Sequence, residues 1–87
     1  MSKIRAEQDR LTVIILEELR KRDLRREELL KRTLIQCGSR SKFTVIMQYL
    51  IRQGLILKRG RKGGRGPYII TEKGKVQLSI LKINLKS

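Results

Sequence analysis

The chain has 87 residues, with 22 lysines and arginines against 8 aspartates and glutamates, so its formal net charge is +14. A chain of this length forms one small domain, and a charge of this size is typical of proteins that bind polyanions. Histidine is absent and Cys37 is the single cysteine, which excludes a histidine-based zinc site, a histidine general base and an internal disulfide. We therefore expect no enzyme, no cofactor and no metal.

The charge is unevenly distributed along the chain. All acidic residues except Glu72 precede Leu29, and the remainder is almost purely basic. Four acid and base pairs at i, i+4 spacing are expected to neutralise much of the early charge: Glu17 with Lys21, Glu18 with Arg22, Glu27 with Lys31, and Glu28 with Arg32. The residues after Leu34 then carry most of the positive charge that nearby acidic residues do not neutralise. No apolar run is long enough for a membrane span, so we expect a cytoplasmic protein.

Helical spacing of apolar residues predicts a first helix over about residues 4–21 and a second over 24–33. The first helix carries Ile4, Leu11, Ile14, Ile15 and Leu19, with Val13 and Leu16 widening the stripe beyond one face. Asp23 is a plausible N-cap of the second helix, which would turn Leu24, Leu29 and Leu30 inward. The basic residues Arg25, Arg26, Lys31 and Arg32 would then be solvated. Cys37 is predicted to fill a turn.

A third helix is predicted over residues 40–53. Gly38 interrupts the preceding pattern, and Ser39 and Ser41 are candidate N-caps. Gly54 suits a left-handed C-cap. The predicted buried set of this helix is Phe43, Ile46, Met47, Leu50 and Ile51.

Two short strands around a glycine-rich tip predict a hairpin over 55–71, followed by a helix over 72–84 that Thr71 can cap. The alternation in VQLSI also fits a strand, which is the alternative for this segment. The tip is not a nucleotide-binding loop, because the chain lacks the Gly-Lys-Ser/Thr sequence such a loop requires. A loosely RNA-binding arm and a solvated tip without partner remain alternatives. We favour a basic hairpin tip directed at a nucleic acid, since glycines allow close approach to a sugar-phosphate wall.

The segments REELLKR, SRSKFTVIMQYLIRQGLI and GPYIITEKG together resemble the winged helix-turn-helix DNA-binding proteins, especially small archaeal-type and PadR- or MarR-like transcriptional regulators. The resemblance covers about residues 4–81. It implies an α+β, mostly α fold in a single domain over 1–87: three helices, a two-stranded β-hairpin wing and a C-terminal helix. It further implies a sequence-selective regulator of transcription that binds double-stranded DNA, acts as a repressor and is nucleoid-associated.

The resemblance places the third helix in the major groove and the wing on the minor groove or on phosphates. The outward face of that helix carries Thr44, Val45, Gln48, Tyr49 and Arg52, where Tyr49 can equally pack under the wing. The expected base-reading residues are Arg40, Ser41, Thr44 and Gln48. Phosphate contacts are expected from Lys42 and Arg52, and wing contacts from Arg59, Arg61, Lys62 and Arg65.

The family also implies a homodimer formed by the first and last helices. The excess of apolar residues on both helices points the same way, and the interface candidates are Val13, Leu16, Ile80, Ile83 and Leu85. A monomer in which the two helices pack on each other is the alternative.

Two other functions remain open at this point: a non-specific architectural or chromatin DNA-binding protein, and an RNA- or ribosome-associated winged-helix protein. Nothing in the sequence indicates a ligand pocket, so control by a small-molecule effector stays open.

Overall fold

A computed structural model describes residues 3–59 and 66–86, with the side chains of 6–59 and 66–84. The described residues form four helices and one two-stranded antiparallel sheet, so the prediction of a mostly helical α+β fold is confirmed. In chain order the elements are α1 (Lys3–Lys21), α2 (Arg26–Cys37), α3 (Arg40–Arg52), β1 (Ile56–Lys58), β2 (Tyr68–Ile70) and α4 (Glu72–Lys86).

Helix α1 lies at the centre of the packing, because it contacts α2, α3, β2 and α4. Its buried apolar residues are Leu11, Ile15, Leu16 and Leu19. A helix with neighbours on several sides needs a broad apolar stripe. This explains why the predicted apolar stripe of the first helix is wider than one face. Leu16 is 0% exposed, so its prediction as an interface residue is wrong: it stabilises the monomer by about 1.5–3 kcal/mol through burial.

Helix α2 begins later than predicted. Its N-cap is Arg25, whose side chain makes no capping hydrogen bond, so the prediction of Asp23 as the cap is wrong. The physical reason is that Leu24 forms an isolated antiparallel bridge with Tyr68: the Leu24 amide donates to the Tyr68 carbonyl at 3.3 Å, and the Tyr68 amide donates back at 2.7 Å. Because the backbone at Leu24 is extended, α2 begins only at Arg26. At the other end, Gly38 has φ +91° and its amide donates to Leu34 O at 2.8 Å.

Helix α3 follows after a short turn and has a local cap. The Ser39 hydroxyl accepts a hydrogen bond from the Lys42 amide at 3.2 Å, which satisfies one of the free amides of the first turn. Four of the five predicted buried residues are buried: Phe43, Ile46, Met47 and Leu50. The fifth, Ile51, is 43% exposed, so that prediction is wrong. Gly54 has φ +75° just beyond the helix, as a C-terminal glycine should.

The hairpin and α4 are joined through Thr71. In the sheet Ile56 pairs with Ile70, Leu57 with Ile69, and Lys58 with Tyr68. The Thr71 hydroxyl donates to Gly54 O at 2.7 Å and accepts from the Gly74 amide at 3.0 Å, so it caps α4 as predicted and ties its first turn to the end of α3. The Thr71 amide also donates to Leu55 O at 3.0 Å.

Ion pairs within the described residues include two that join helices and two at i, i+3 spacing within single helices, Glu17 with Arg20 and Glu72 with Lys75. Glu17 lies 2.9 Å from Lys82 Nζ on α4 and 3.5 Å from Arg20, and Glu18 lies 3.8 Å from Arg32 on α2. The four predicted i, i+4 pairs are therefore wrong. Tertiary packing of α1 against α2 and α4 brings other cations closer to these carboxylates.

Candidate nucleic-acid interface

The exposed face of α3 is a stripe of four residues at helical spacing i, i+4, i+7 and i+11: Ser41, Val45, Gln48 and Arg52. All four are exposed, and they lie opposite the buried face of the helix. The stripe combines a hydroxyl, an isopropyl group, an amide and a guanidinium. These groups can hydrogen-bond base edges or phosphates and contact a thymine methyl. Two predicted base-reading residues, Ser41 and Gln48, therefore share one exposed surface with the predicted phosphate contact Arg52.

Thr44 and Arg40 lie on the flank of this stripe. Thr44 is half-buried, and its hydroxyl accepts a hydrogen bond from Arg26 Nη2 at 2.8 Å. The same guanidinium lies 5.4 Å from the centre of the Phe43 ring, a cation–π contact that orients Arg26. Thr44 thus links α3 to the first turn of α2, and Arg40 is exposed beside it.

A cavity of about 570 Å³ separates the first turn of α2 from the hairpin. Its basic lining residues are Arg25, which precedes α2, Arg26 of α2 and Lys58 of β1. Glu27, Glu28, Gly66 and Tyr68 complete the walls. Arg26 contacts Thr44 on one side and lines this cavity on the other, so it lies on the surface between the flank of the α3 stripe and the base of the hairpin. We call this surface, from α3 through Arg26 to Lys58 and Arg59, the basic face.

The basic face includes cations that sequence reasoning did not assign to it. Arg25 and Arg26 were expected only to be solvated, and Lys58 was not singled out as a contact. Their side chains are indeed exposed, but the fold brings α2 against the hairpin through the bridge between Leu24 and Tyr68. No periodicity or local motif reports such a long-range pairing, so the sequence held no signal for it.

One predicted phosphate contact, Lys42, and one predicted wing contact, Arg59, each form an ion pair with a carboxylate. Lys42 Nζ lies 3.2 Å from Glu7 Oε1, and Arg59 Nη1 lies 3.3 Å from Asp23 Oδ2. All four side chains are well exposed. The backbone amide of Arg59 donates to Pro67 O at 2.7 Å, which extends the hairpin ladder by one residue beyond the strands. The other predicted wing contacts, Arg61, Lys62 and Arg65, lie outside the described residues.

Tyr49 does not join the exposed stripe, because it is half-buried and packs against the core. A shallow groove of about 350 Å³ lies on that side of α3, between it and α1. Leu11, Val45 and Ile46 form its apolar walls, and the ion pair of Glu7 with Lys42 lies at its edge.

A second exposed surface runs along α4. Val76, Ile80 and Ile83 are 60%, 46% and 69% exposed and repeat at i, i+4 and i+7, so they form one apolar stripe. Two of them were predicted interface residues. Val13 is half-buried against the core, and the side chain of Leu85 lies outside the described part of the chain. The helices α1 and α4 pack on each other, and among the side chains that the structure describes on these two helices, the exposed apolar stripe lies on α4.

Cys37 lies away from the basic face. It is the last residue of α2 and is buried in the core rather than filling a turn, so that prediction is wrong. Burial raises the pKa of its thiol, an effect partly opposed by a hydrogen bond with Thr33 and by the charge of Arg10. A buried, protonated thiol packs as a small apolar group and is a poor nucleophile.

Comparison of the chain with protein-family models, with curated proteins and with solved structures finds no significant match. Within the described residues, no helix combines the length and apolar character needed to cross a bilayer. The same part of the chain contains no cluster of acidic residues and cysteine suited to holding a metal ion.

Proposed function

We propose that the chain is a winged helix-turn-helix protein that binds double-stranded DNA selectively and regulates transcription by occluding its site. The observation that carries the proposal is the exposed stripe of Ser41, Val45, Gln48 and Arg52, with Arg26 lying between the flank of this stripe and the base of the hairpin. An α-helix fits the major groove, where these groups can contact base edges. In this arrangement the hairpin contacts the sugar-phosphate backbone of the DNA beside that groove.

The arrangement of elements supports this proposal. Helices α2 and α3 are joined through Gly38 and Ser39, and an antiparallel hairpin follows α3 directly. The bridge between Leu24 and Tyr68 adds a third, one-residue strand to the hairpin, which fixes the hairpin beside the N-terminal end of α2. A net charge of +14 supplies the sequence-independent attraction that DNA binding requires.

The first experiment measures fluorescence anisotropy with random double-stranded DNA and with RNA of matching sequence over a salt series, followed by selection from a randomised DNA pool. Preference for DNA with enrichment of one site is the expected result. Preference for RNA would overturn the proposal and would assign the basic face to an RNA partner.

Single substitutions then test the roles of individual residues. Replacing Gln48 with Ala is expected to relax discrimination at one base position, whereas Arg52→Ala is expected to weaken binding to every sequence alike. A lost bidentate base contact corresponds to about 1–3 kcal/mol of discrimination. Gln36→Ala is the matched control, because Gln36 is also exposed but lies on α2, away from the stripe. Equal losses on all DNAs for Gln48→Ala and Arg52→Ala would contradict base reading by Gln48.

A second candidate function is favoured by the size of the charge. An architectural protein that coats DNA without sequence preference also needs a net charge far above zero, and +14 on 87 residues suits that role. The selection experiment separates the two functions, since an architectural protein would bind DNA tightly and enrich no site.

We also propose that two copies of the chain associate through the apolar stripe of α4. A stripe of this kind is self-complementary when two α4 helices pack about a two-fold axis, and such a dimer would place two recognition helices about 34 Å apart on one DNA face. The proposed interface consists of Ile80 and Ile83, which the sequence predicted, together with Val76. It excludes Leu16, which is buried in the core.

Sedimentation equilibrium tests the dimer. Replacing Ile80 and Ile83 together with Ser is expected to shift the protein to a monomer and to abolish any preference for inverted-repeat sites. Ile35→Ser is the matched control, because Ile35 is 92% exposed on α2 and lies outside the stripe. A wild-type protein that stays monomeric at high concentration and on DNA would overturn this part of the proposal.

A further inference from the structure

Two carboxylates from the first part of the chain each contact a cation of the proposed DNA-binding surface. Glu7 pairs with Lys42 and Asp23 with Arg59, at 3.2 and 3.3 Å. The partners are 35 and 36 residues apart in sequence, so tertiary folding rather than helix spacing brings them together. Their exposure leaves both pairs open to an approaching polyanion.

We propose that Glu7 and Asp23 compete with DNA phosphates for Lys42 and Arg59 and thereby lower the affinity of the protein for DNA. This inference rests on the proposed function. A carboxylate and a phosphate have the same sign of charge and accept the same hydrogen bonds from an ammonium or guanidinium group. A phosphate that binds either cation must displace the carboxylate or share the cation with it.

The strength of an exposed ion pair suits such an exchange. Pairs of this kind are weak enough to break, and losing one corresponds to a change of about two- to fivefold in an equilibrium constant. The competition therefore tunes DNA affinity without preventing binding. For a chain of charge +14, it reduces attachment at sites where the cations meet only the DNA backbone.

The remaining ion pairs of the described residues lie elsewhere. Glu17 and Glu18 join α1 to α4 and α2, and Glu72 lies 3.2 Å from Lys75 within α4. None of their cationic partners belongs to the basic face. Glu72 therefore provides a control with the same pair distance as Glu7 and the same change of charge on neutralisation.

The test compares Glu7→Gln, Asp23→Asn and the control Glu72→Gln by anisotropy on a random-sequence duplex over a salt series. Each substitution raises the net charge by one unit, so differences among the three variants do not come from total charge. Glu7→Gln and Asp23→Asn are expected to bind about two- to fivefold more tightly than Glu72→Gln at low salt. The dependence of log K on log salt is expected to steepen by up to about 0.9 for each freed cation.

A double-mutant cycle identifies the cation responsible. The gain from Glu7→Gln is expected to vanish when Lys42 is replaced with Ala, and the gain from Asp23→Asn when Arg59 is replaced with Ala. A gain that persists in those backgrounds would be a general charge effect and would overturn the inference. Weaker binding by Glu7→Gln or Asp23→Asn would also overturn it, since the carboxylates would then position their cations for DNA.

The two proposals fail in different ways. If the wild-type protein binds DNA but neither variant gains over Glu72→Gln, the competition is refuted while DNA binding, on which the proposed function depends, is not. If the wild-type protein binds no DNA, both are refuted. Tighter binding confined to the two variants supports both.

Discussion

Replacing Gly74 with Ala is expected to destabilise the protein although Gly74 lies inside a helix. In an open helix this change stabilises by about 1 kcal/mol, because alanine has the higher helix propensity. In α4, a Cβ atom at Gly74 would overlap the carbonyl oxygen of Leu55 and lie 2.8 Å from Cγ1 of Ile70. The Leu55 oxygen cannot move freely, since it accepts the hydrogen bond from the Thr71 amide at 3.0 Å.

The magnitude follows from these opposing effects. Overpacking costs about 1–3 kcal/mol, and a collision with backbone lies at the upper end of that range. After subtracting the gain in helix propensity of about 1 kcal/mol, we expect a net loss of about 2 kcal/mol in the free energy of unfolding. For a domain of this size that loss corresponds to a decrease in Tm of roughly 8–16 °C.

Urea unfolding followed by circular dichroism at 222 nm measures the effect. Ser79→Ala is a control on the same helix: Ser79 is exposed, so the expected change is within about 0.5 kcal/mol. Gly38→Ala isolates backbone strain, since φ is +91° and, apart from Gly38 and its two chain neighbours, no described residue has an atom within 4 Å of the new Cβ. We expect that variant to lose about 1–2 kcal/mol. A Gly74→Ala protein as stable as the wild type would refute the packing of α4 against Leu55.

Three further predictions concern single side chains. Thr71→Val removes the hydroxyl that links Gly54 O to the α4 amides, and urea unfolding is expected to show a loss of about 1–2 kcal/mol; an unchanged midpoint would contradict the cap. The hydrogen bond from Lys82 holds the pKa of Glu17 below its ordinary value of 4.5, so Glu17 stabilises the fold above that pH and the contribution is lost as pH falls through the lowered pKa. Wild-type protein should therefore lose more stability between about pH 5 and about pH 3 than Glu17→Gln, and equal losses would refute the pair. Because burial raises the pKa of Cys37, its reaction with a disulfide reagent at about pH 8 is expected to be slow in native protein and fast in urea; equal rates would show an accessible thiol.

Local signals in the sequence predicted local structure well. The cap at Ser39, the left-handed Gly54 and the cap at Thr71 each depend on residues within a few positions, and each is found where expected. The buried face of α3 followed from helical periodicity in the same way, apart from Ile51 at the end of the helix. These features are determined by backbone geometry and nearest neighbours, which a single sequence contains.

Features that depend on contacts between distant segments were not predicted. Asp23 had the residue type of a helix cap, but the bridge from Leu24 to Tyr68 displaced the start of α2. Leu16 was predicted to lie in a dimer interface, but it is buried in the core. Periodicity does not reveal how many neighbours a helix has. For the candidate site, the residues on α3 could be named from its helical face, whereas Arg26 joined them only through its contact with Thr44.

The bridge between Leu24 and Tyr68 has a consequence for hydrogen exchange. Leu24 lies in the connection between α1 and α2, a position where amides usually exchange quickly, yet its amide and that of Tyr68 are reciprocal donors across the bridge. One opening event must release both protons, so the two amides should exchange at similar rates. Any motion that lifts the hairpin base would then also loosen the entry to α2, and the two segments form one unit of local unfolding.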